Sequence, residues 1–248
     1  MGEIKMIRKA LLLGNTRGLE GVKVDIKDFS DFLKSDFGGG WLPNELEIKY
    51  NINKAELLSI LSSLKVDPPD LLIILFSGHG GQERKTILEL NSYGETIEEN
   101  QLRNIGIRQI NIYDCCRSYP ENYQENVNVY NVYKSIYSED RRKTIRHLYE
   151  KRILQSAKNQ QILLYSCRIG EKSYDTPNGA VYLNNFLKAA KNLLAKEKLV
   201  IEAHQEAIEP TRNYSKKEFN AEQNPQSIVP KLLTNQQLII SINPNQIN

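Results

Sequence analysis

The sequence contains few cysteines and few histidines, which narrows the chemistry that it can support. There are three of each among 248 residues, and two of the cysteines, Cys115 and Cys116, are adjacent. An odd number of cysteines with an adjacent pair argues against a disulfide framework, so a reducing cytoplasmic setting is expected. Cys167 and the scattered histidines lack the paired spacing of zinc ligands, and we expect no bound metal.

The sequence also lacks a charge excess and a long apolar run. Its 33 basic and 30 acidic residues leave a net charge of only +3, with no dense basic tract. Neither nucleic acid nor a membrane surface is therefore an expected partner. No apolar stretch approaches the roughly 18 residues of a membrane span, and residues 1–5 show no apolar signal region.

From residue 9 to residue 113, short apolar runs alternate with amphipathic stretches. The order is strand, helix, strand, helix, strand, helix, strand, which predicts an α/β fold with a mostly parallel sheet. The run at 71–76 is apolar on both faces, as expected for a central parallel strand. The predicted strands lie near residues 9–15, 47–52, 71–76 and 110–113, and the predicted helices near residues 21–34, 53–64 and 98–104.

The second half of the chain is less regular. Residues 119–139 carry no sustained apolar stripe and predict a long loop. The other expected elements are helices at 141–157, 179–194 and 200–208, a loop at 214–226, and strands at 161–166 and 238–242. Because the sequence shows no internal repeat and no Gly/Ser linker, we predict a single domain over residues 1–248.

Two apolar runs end in residues that can do chemistry. The run at 71–76 precedes Ser77-Gly78-His79-Gly80, and the run at 110–113 precedes Asp114-Cys115-Cys116. Ligands of open α/β sheets bind at the carboxyl ends of the strands, so His79 and the cysteines are expected at one rim. A histidine beside a thiol can accept its proton and later protonate a leaving amine. The N–H groups of Gly80 and of the cysteine are candidate donors to an oxyanion.

These motifs resemble those of the caspase-like cysteine peptidases, and they are closer to the metacaspase and bacterial orthocaspase branch. The resemblance rests on Ser77-Gly78-His79-Gly80 and Asp114-Cys115-Cys116-Arg117-Ser118, and it extends over most of residues 9–245. It implies a three-layer α/β/α fold with a six-stranded, mainly parallel sheet. It also implies that Cys116 is the nucleophile and His79 its partner, while Cys115 packs on the opposite side.

The resemblance also implies a specificity. The positions that match the acidic pocket of the metacaspase-like branch are Asp25, Ser77 and Asp114, and Asp175 is a further candidate for substrate binding. Two carboxylates in a partly dry pocket would favour Arg or Lys through charge-assisted hydrogen bonds. We therefore expect cleavage after a basic residue, since Arg117 alone makes a poor case for recognition of aspartate.

By the same resemblance, residues 1–118 form a large-subunit-like part, residues 119–160 a linker-like segment, and residues 161–248 a small-subunit-like part. The linker-like segment contains six basic residues that are candidate self-processing sites: Arg141, Arg142, Lys143, Arg146, Lys151 and Arg152. A solvated helix face is the simpler interpretation of this basic run.

Some features depart from the family pattern. The 37 residues that separate His79 from Cys116 fall below the roughly 50 of caspases, so the intervening hairpin must be short. The caspase pentapeptide Gln-Ala-Cys-x-Gly is absent, and the calcium-binding aspartate cluster of some metacaspases cannot be placed. A structural role is the alternative interpretation for three of the residues. Asp114 would cap a loop, Asp25 would begin a helix, and Cys167 would pack in the core.

The sequence thus predicts a cysteine endopeptidase that acts on proteins or peptides and requires no cofactor. Its control is expected to come from dimerisation, a partner protein or a small-molecule activator. A role in cell death or antiviral defence follows from family analogy alone. The alternative is a catalytically silent module of the same fold that binds peptides or partners.

Overall fold

The computed structural model describes residues 6–119 and 139–246, so most of the loop predicted at 119–139 lies outside the described residues. The strands are β1 (Arg8–Gly14), β2 (Leu46–Tyr50), β3 (Leu71–Ser77), β4 (Gly80–Gln82), β5 (Thr86–Glu89), β6 (Thr96–Glu98), β7 (Arg108–Asp114), β8 (Gln160–Tyr165), β9 (Glu197–Leu199), β10 (Gln226–Ile228) and β11 (Ile239–Ile242). The helices are α1 (Gly21–Lys34), α2 (Lys54–Val66), α3 (Glu139–Gln155), α4 (Val181–Lys191) and α5 (Val200–Phe219).

A six-stranded sheet runs through the middle of the fold in the order β10-β8-β7-β3-β1-β2. Strands β2, β1, β3, β7 and β8 are parallel, and β10 pairs antiparallel with β8 at one edge. Every residue of β3 and of β7 is buried, as expected for central strands that are covered on both faces. The predicted six-stranded, mainly parallel sheet is confirmed.

Helices and a small sheet cover the two faces of this central sheet. One face packs against α1, α3, α4 and α5, through side chains such as Phe29, Tyr149 and Phe186. The other face packs against α2 and the three-stranded sheet β4-β5-β6, through side chains such as Leu57 and Leu88. The result is the three-layer α/β/α arrangement that the sequence predicts, with a small three-stranded sheet between His79 and Cys116.

The carboxyl-terminal part differs from the prediction. The strand expected at 238–242 forms as β11, but it pairs with β9 outside the central sheet, and the sixth central strand is β10. Helix α5 runs to Phe219, into the predicted loop, because its buried face continues as Thr211 and Ser215. The hydroxyl of Thr211 donates to the Ala207 carbonyl at 2.7 Å, so these buried polar groups are satisfied, and an apolar pattern does not detect them.

Helix α3 occupies the second half of the segment predicted to be linker-like. Its basic residues do more than form a solvated face, since the Arg146 guanidinium binds Glu45 at 2.6 and 2.7 Å and Arg152 binds Glu197 at 2.9 Å. These ion pairs fasten α3 to the body of the fold. Within residues 6–119 and 139–246, no helix combines the length and apolarity needed to cross a membrane.

Candidate active site

The motifs of β3 and β7 meet at one rim of the central sheet. The two strands are hydrogen-bonded neighbours, and their last residues, Ser77 and Asp114, lie opposite each other. His79 follows two residues after Ser77, and Cys116 follows two residues after Asp114. Gly78 makes the first turn possible, because its φ is +153° and a Cβ there would lie 2.8 Å from the Cβ of Asn15. The expectation that both apolar runs end at a shared rim is confirmed.

His79 and Cys116 line one cavity of about 400 Å³. Its floor includes Ser77, Asp114 and Asp175, and its walls come from residues 17–22 and 172–177. The structure therefore brings together the candidate dyad and three of the four candidate substrate-binding residues, Ser77, Asp114 and Asp175.

The hydrogen bonding of His79 fixes which ring nitrogen carries the proton. Its Nε2 lies 2.6 Å from the backbone carbonyl oxygen of Arg17, and a carbonyl oxygen can only accept a hydrogen bond. Nε2 is therefore the donor, and in the neutral ring Nδ1 keeps its lone pair. This tautomer leaves Nδ1 able to accept a proton from a thiol.

The Cys116 thiol is held by the backbone of Ser173. The Sγ atom lies 3.4 Å from the Ser173 nitrogen and 3.5 Å from the Ser173 oxygen. Burial raises the pKa of Cys116, while the Ser173 N–H acts in the opposite direction. The free protein therefore holds this cysteine as a thiol, and a base is needed to produce the thiolate.

The other two cysteines pack inside the fold. Cys115 and Cys167 are buried, and burial raises the pKa of both thiols. The Sγ of Cys167 contacts the Cys115 carbonyl oxygen at 3.4 Å. The arrangement agrees with the packing roles that the sequence indicated for these two residues.

Gly80 lies directly against the cysteine pair. A Cβ at Gly80 would lie 2.8 Å from the Cys115 Sγ and 2.9 Å from the Cys116 carbonyl oxygen. The Gln82 N–H donates to the Ser118 carbonyl oxygen at 2.9 Å. In a strand, the N–H groups of residues two apart point toward the same edge. The Gly80 N–H thus lies on the edge of β4 that faces the segment after β7.

Asp114 is a buried carboxylate at the floor of the cavity. Its Oδ1 accepts from the Ser173 hydroxyl at 2.6 Å, and its Oδ2 accepts from the Leu183 N–H in the first turn of α4 at 3.0 Å. Burial raises the pKa of Asp114 to about 6, and its hydrogen bonds oppose that change. At neutral pH the group is an anion that can receive a cationic ligand.

Asp25 lies behind the cavity wall and does not line the cavity itself. Its Oδ2 accepts from the Ser77 hydroxyl at 2.6 Å, and its Oδ1 accepts from the Ala180 N–H at 2.8 Å. Burial, followed by the charge of Asp114, raises the pKa of Asp25 well above its usual value. In the free protein, Asp25 therefore contacts the cavity lining through Ser77 and Ala180.

Asp175 carries a carboxylate oxygen that lacks a hydrogen-bond partner. Its Oδ2 accepts from the Gly21 N–H at 3.1 Å, whereas the buried Oδ1 finds no hydrogen-bond donor within the described part of the chain. Burial, and to a lesser degree the charge of Asp114, raises the pKa of Asp175 to about 6. A buried acceptor without a donor is unfavourable, so this oxygen is suited to a cationic ligand.

Two arginines near the cavity are already engaged, whereas the exposed Lys172 also lines it. The Arg17 guanidinium pairs with Glu89 at 2.9 Å. Arg117 is buried beneath the rim, where it donates to the Thr86 hydroxyl at 2.9 Å and lies over the ring of Tyr165. The cavity therefore presents a mainly acidic floor, and Arg117 is not available to receive an acidic side chain.

Sequence reasoning missed two contributors to the site. The Arg17 carbonyl is a backbone group, which leaves no sequence signal. Ser173 contacts both Cys116 and Asp114, and its only signal is its place in a loop that follows a strand of the predicted sheet.

Comparison with known proteins identifies the family and the fold of this chain. The caspase domain of the Peptidase_C14 family matches residues 7–233. Among solved structures, caspase-1 from Spodoptera frugiperda is similar in fold, with a TM-score of 0.59 and 10% sequence identity over 95% of this chain and 93% of that chain. No curated protein matches the sequence significantly. The match to the family over most of the chain shows that it belongs to the caspase-domain family of cysteine peptidases.

Proposed function

We propose that this protein is a cysteine endopeptidase in which His79 and Cys116 form the catalytic dyad. The observation that carries the proposal is that both side chains line the same cavity, with the Arg17 carbonyl on His79 Nε2. That contact leaves Nδ1 as the nitrogen able to take a proton from the thiol.

The proposed reaction proceeds through an acyl-enzyme. His79 Nδ1 accepts the Cys116 proton, and the thiolate attacks the carbonyl carbon of the scissile peptide bond. The N–H groups of Gly80 and Cys116 stabilise the oxyanion of the tetrahedral intermediate. The histidinium then protonates the leaving amine, and water activated by His79 hydrolyses the thioester. No cofactor takes part in these steps, and calcium has no assigned role.

The proposed substrates carry Arg or Lys before the scissile bond. Asp114 presents a buried carboxylate and Asp175 a partly buried one in the cavity lining, and Ser77 lines the cavity beside them while it donates a hydrogen bond to Asp25. A guanidinium or ammonium group would provide donors for the unpaired Asp175 oxygen. The positive charge of the substrate side chain would also offset the negative charge of the two carboxylates, which burial makes unfavourable.

Self-processing within residues 119–160 belongs to this proposal. The six basic candidates lie on α3, and a peptidase binds its substrate in an extended form, so cleavage there requires local unwinding. Lys143 and Lys151 are exposed, whereas Arg146 and Arg152 are partly buried. The two lysines are therefore favoured over the two arginines. Mass spectrometry of wild-type and Cys116→Ala protein tests this, and full-length, uncleaved chains in both samples would refute self-processing.

A silent peptide-binding module is the second candidate. The observation that favours it is the raised pKa of Cys116, whose thiol rests against Ser173. Such a module would bind a basic peptide without cleaving it. The same acidic floor supports both candidates, so only a measurement of turnover separates them.

The cellular role is proposed by family analogy alone: a cytoplasmic peptidase of cell death or antiviral defence. Its activation would depend on dimerisation, a partner protein or a small molecule.

Fluorogenic peptides that differ only in the residue before the scissile bond test the proposed activity. We expect hydrolysis after Arg and Lys, much slower hydrolysis after Asp, and none with Cys116→Ala protein. Hydrolysis after Asp alone would refute the specificity. Binding of the Arg peptide without turnover, under all activating conditions, would favour the silent module.

A further inference from the structure

The turn after β1 supplies the carbonyl that binds His79, and the side chain of Asn51 holds this turn. The Oδ1 of Asn51 accepts from the Thr16 N–H at 2.9 Å, and its Nδ2 donates to the Thr16 hydroxyl at 2.9 Å. The Asn51 backbone N–H also donates to the Gly14 carbonyl at 2.8 Å. The Asn51 side chain thus holds Thr16, the residue directly before Arg17, through two contacts, and the Asn51 backbone holds the end of β1.

A second asparagine fixes the same turn from within the fold. Asn15 is fully buried, and its Oδ1 accepts from the Arg17 N–H at 3.1 Å. Its Nδ2 donates to the Glu89 carbonyl at 2.9 Å. Glu89 in turn donates its N–H to the His79 carbonyl at 3.0 Å and binds the Arg17 guanidinium. The turn and the backbone of His79 are therefore tied to each other through Glu89.

We propose that Asn51 and Asn15 are positioning residues, which hold the Arg17 carbonyl on His79 Nε2. The inference rests on the proposed function, because it matters for turnover only if His79 is the base. Without the two asparagines, the contacts that define residues 15–17 are lost, and the carbonyl no longer holds the ring. A small misplacement of a catalytic group lowers turnover by about a hundredfold.

Asn51 offers a clean test because its side chain is exposed and its φ is +50°. Glycine adopts that backbone conformation without strain, so Asn51→Gly removes only the side-chain contacts and keeps the N–H bond to Gly14. Asn51→Asp retains an acceptor for both Thr16 groups and is the rescuing variant. Asn104 is also exposed, with a φ of +55°, and it lies before β7 at the far end of the sheet. Asn104→Gly is therefore the matched control.

The first measurement is the Nε2–H proton signal of His79 in protein labelled with 15N-histidine, assigned with a His79→Gln variant. We expect the signal in wild type, Asn51→Asp and Asn104→Gly, and its loss through exchange with water in Asn51→Gly. An unchanged signal in Asn51→Gly would overturn the proposal, as would its loss in the Asn104→Gly control.

The second measurement is hydrolysis of an Arg peptide. We expect kcat of Asn51→Gly to fall by about tenfold to a hundredfold, with a smaller change in KM and recovery in Asn51→Asp. Equal kcat values for Asn51→Gly and wild type would overturn the positioning role. If wild type hydrolyses no peptide while the NMR signals respond as expected, the peptidase proposal fails and the asparagine contacts stand.

Discussion

Asp175 offers a quantitative prediction, because its carboxylate destabilises the free protein while it prepares the cavity for a cation. The informative change is Asp175→Asn, which keeps an acceptor for the Gly21 N–H and removes the charge. The unpaired Oδ1 and the Thr176 carbonyl oxygen surround the point that a Gly21 Cβ would take, at 1.9 and 2.3 Å. An amide group in place of the carboxylate removes the buried charge from this crowded position.

The pKa of Asp175 sets the size of the expected effect. Burial raises it from 3.8 to about 6, and a difference of roughly two pH units corresponds to about 3 kcal/mol. When the pKa of a carboxyl group is higher in the folded protein than in the unfolded chain, the group stabilises the fold at pH values below the unfolded-chain pKa. This stabilisation is lost as the pH rises through the folded-state pKa of about 6. The variant resembles the protonated group at every pH, so its advantage is absent below about pH 4 and reaches about 3 kcal/mol above pH 7.

Thermal unfolding at pH 4 and at pH 7.5 measures this effect. For a chain of this size, 1 kcal/mol corresponds to a change in Tm of about 2–4 °C, so the variant should gain about 6–12 °C at pH 7.5. It should also lose kcat/KM on Arg peptides. Asp67→Asn, at an exposed carboxylate after α2, is the control. A variant no more stable than wild type at pH 7.5, or equally stabilised at both pH values, would refute the reasoning.

Three further predictions concern the same cavity. The ratio of kcat/KM for Arg peptides to kcat/KM for peptides with an uncharged residue in that position should rise through about pH 6 as Asp114 and Asp175 ionise, because steps that both substrates share cancel in this ratio; a ratio that does not change with pH would contradict it. Gly80→Ala should lower kcat at least tenfold, because the alanine Cβ would collide with the Cys115 Sγ and displace the proposed oxyanion donor. An unchanged kcat would contradict the close contact between Gly80 and the cysteine pair. Cys115→Ala should keep activity but lose about 1–2 kcal/mol of stability in urea unfolding, and loss of activity with normal stability would reverse the roles of Cys115 and Cys116.

The part of the fold that sequence predicts well is the part built from continuous apolar strands. Strands β3 and β7 are buried on both faces. Residues 71–76 form an unbroken apolar run, whereas β7 carries the buried Asn111 between Ile110 and Ile112. The pairing of the two strands follows from the α/β order. The polar ends of the two runs then place His79 and Cys116 at one rim. Local pattern and tertiary burial agree at these positions, which is why they are predictable.

The less predictable parts depend on polar residues that are buried. The buried face of α5 continues as Thr211 and Ser215, so the apolar pattern ends before the helix does.

The three residues of β10 lie at an edge of the central sheet, with Gln226 and Ile228 exposed, and such a short strand carries no clear alternation. Its place in the sheet is set by pairing with β8, a long-range contact.

The candidate site shows the same division. The family resemblance gives the acidic positions, but it does not reveal that Asp25 contacts the cavity lining through the Ser77 hydroxyl. That contact depends on a hydrogen bond of 2.6 Å between two side chains far apart in sequence. The Arg17 carbonyl is equally hidden, because a backbone acceptor can follow any side chain and is specified by the contacts of Asn15 and Asn51.

The most direct test of the proposed dyad is covalent labelling with a peptidyl electrophile that carries Arg at the position before the scissile bond, followed by mass-spectrometric mapping of the adduct. The account predicts one adduct on Cys116, its absence in Cys116→Ala protein, and labelling slowed by at least a hundredfold in His79→Ala protein. An adduct on Cys115 or Cys167, or labelling of Cys116 at the same rate without His79, would contradict it.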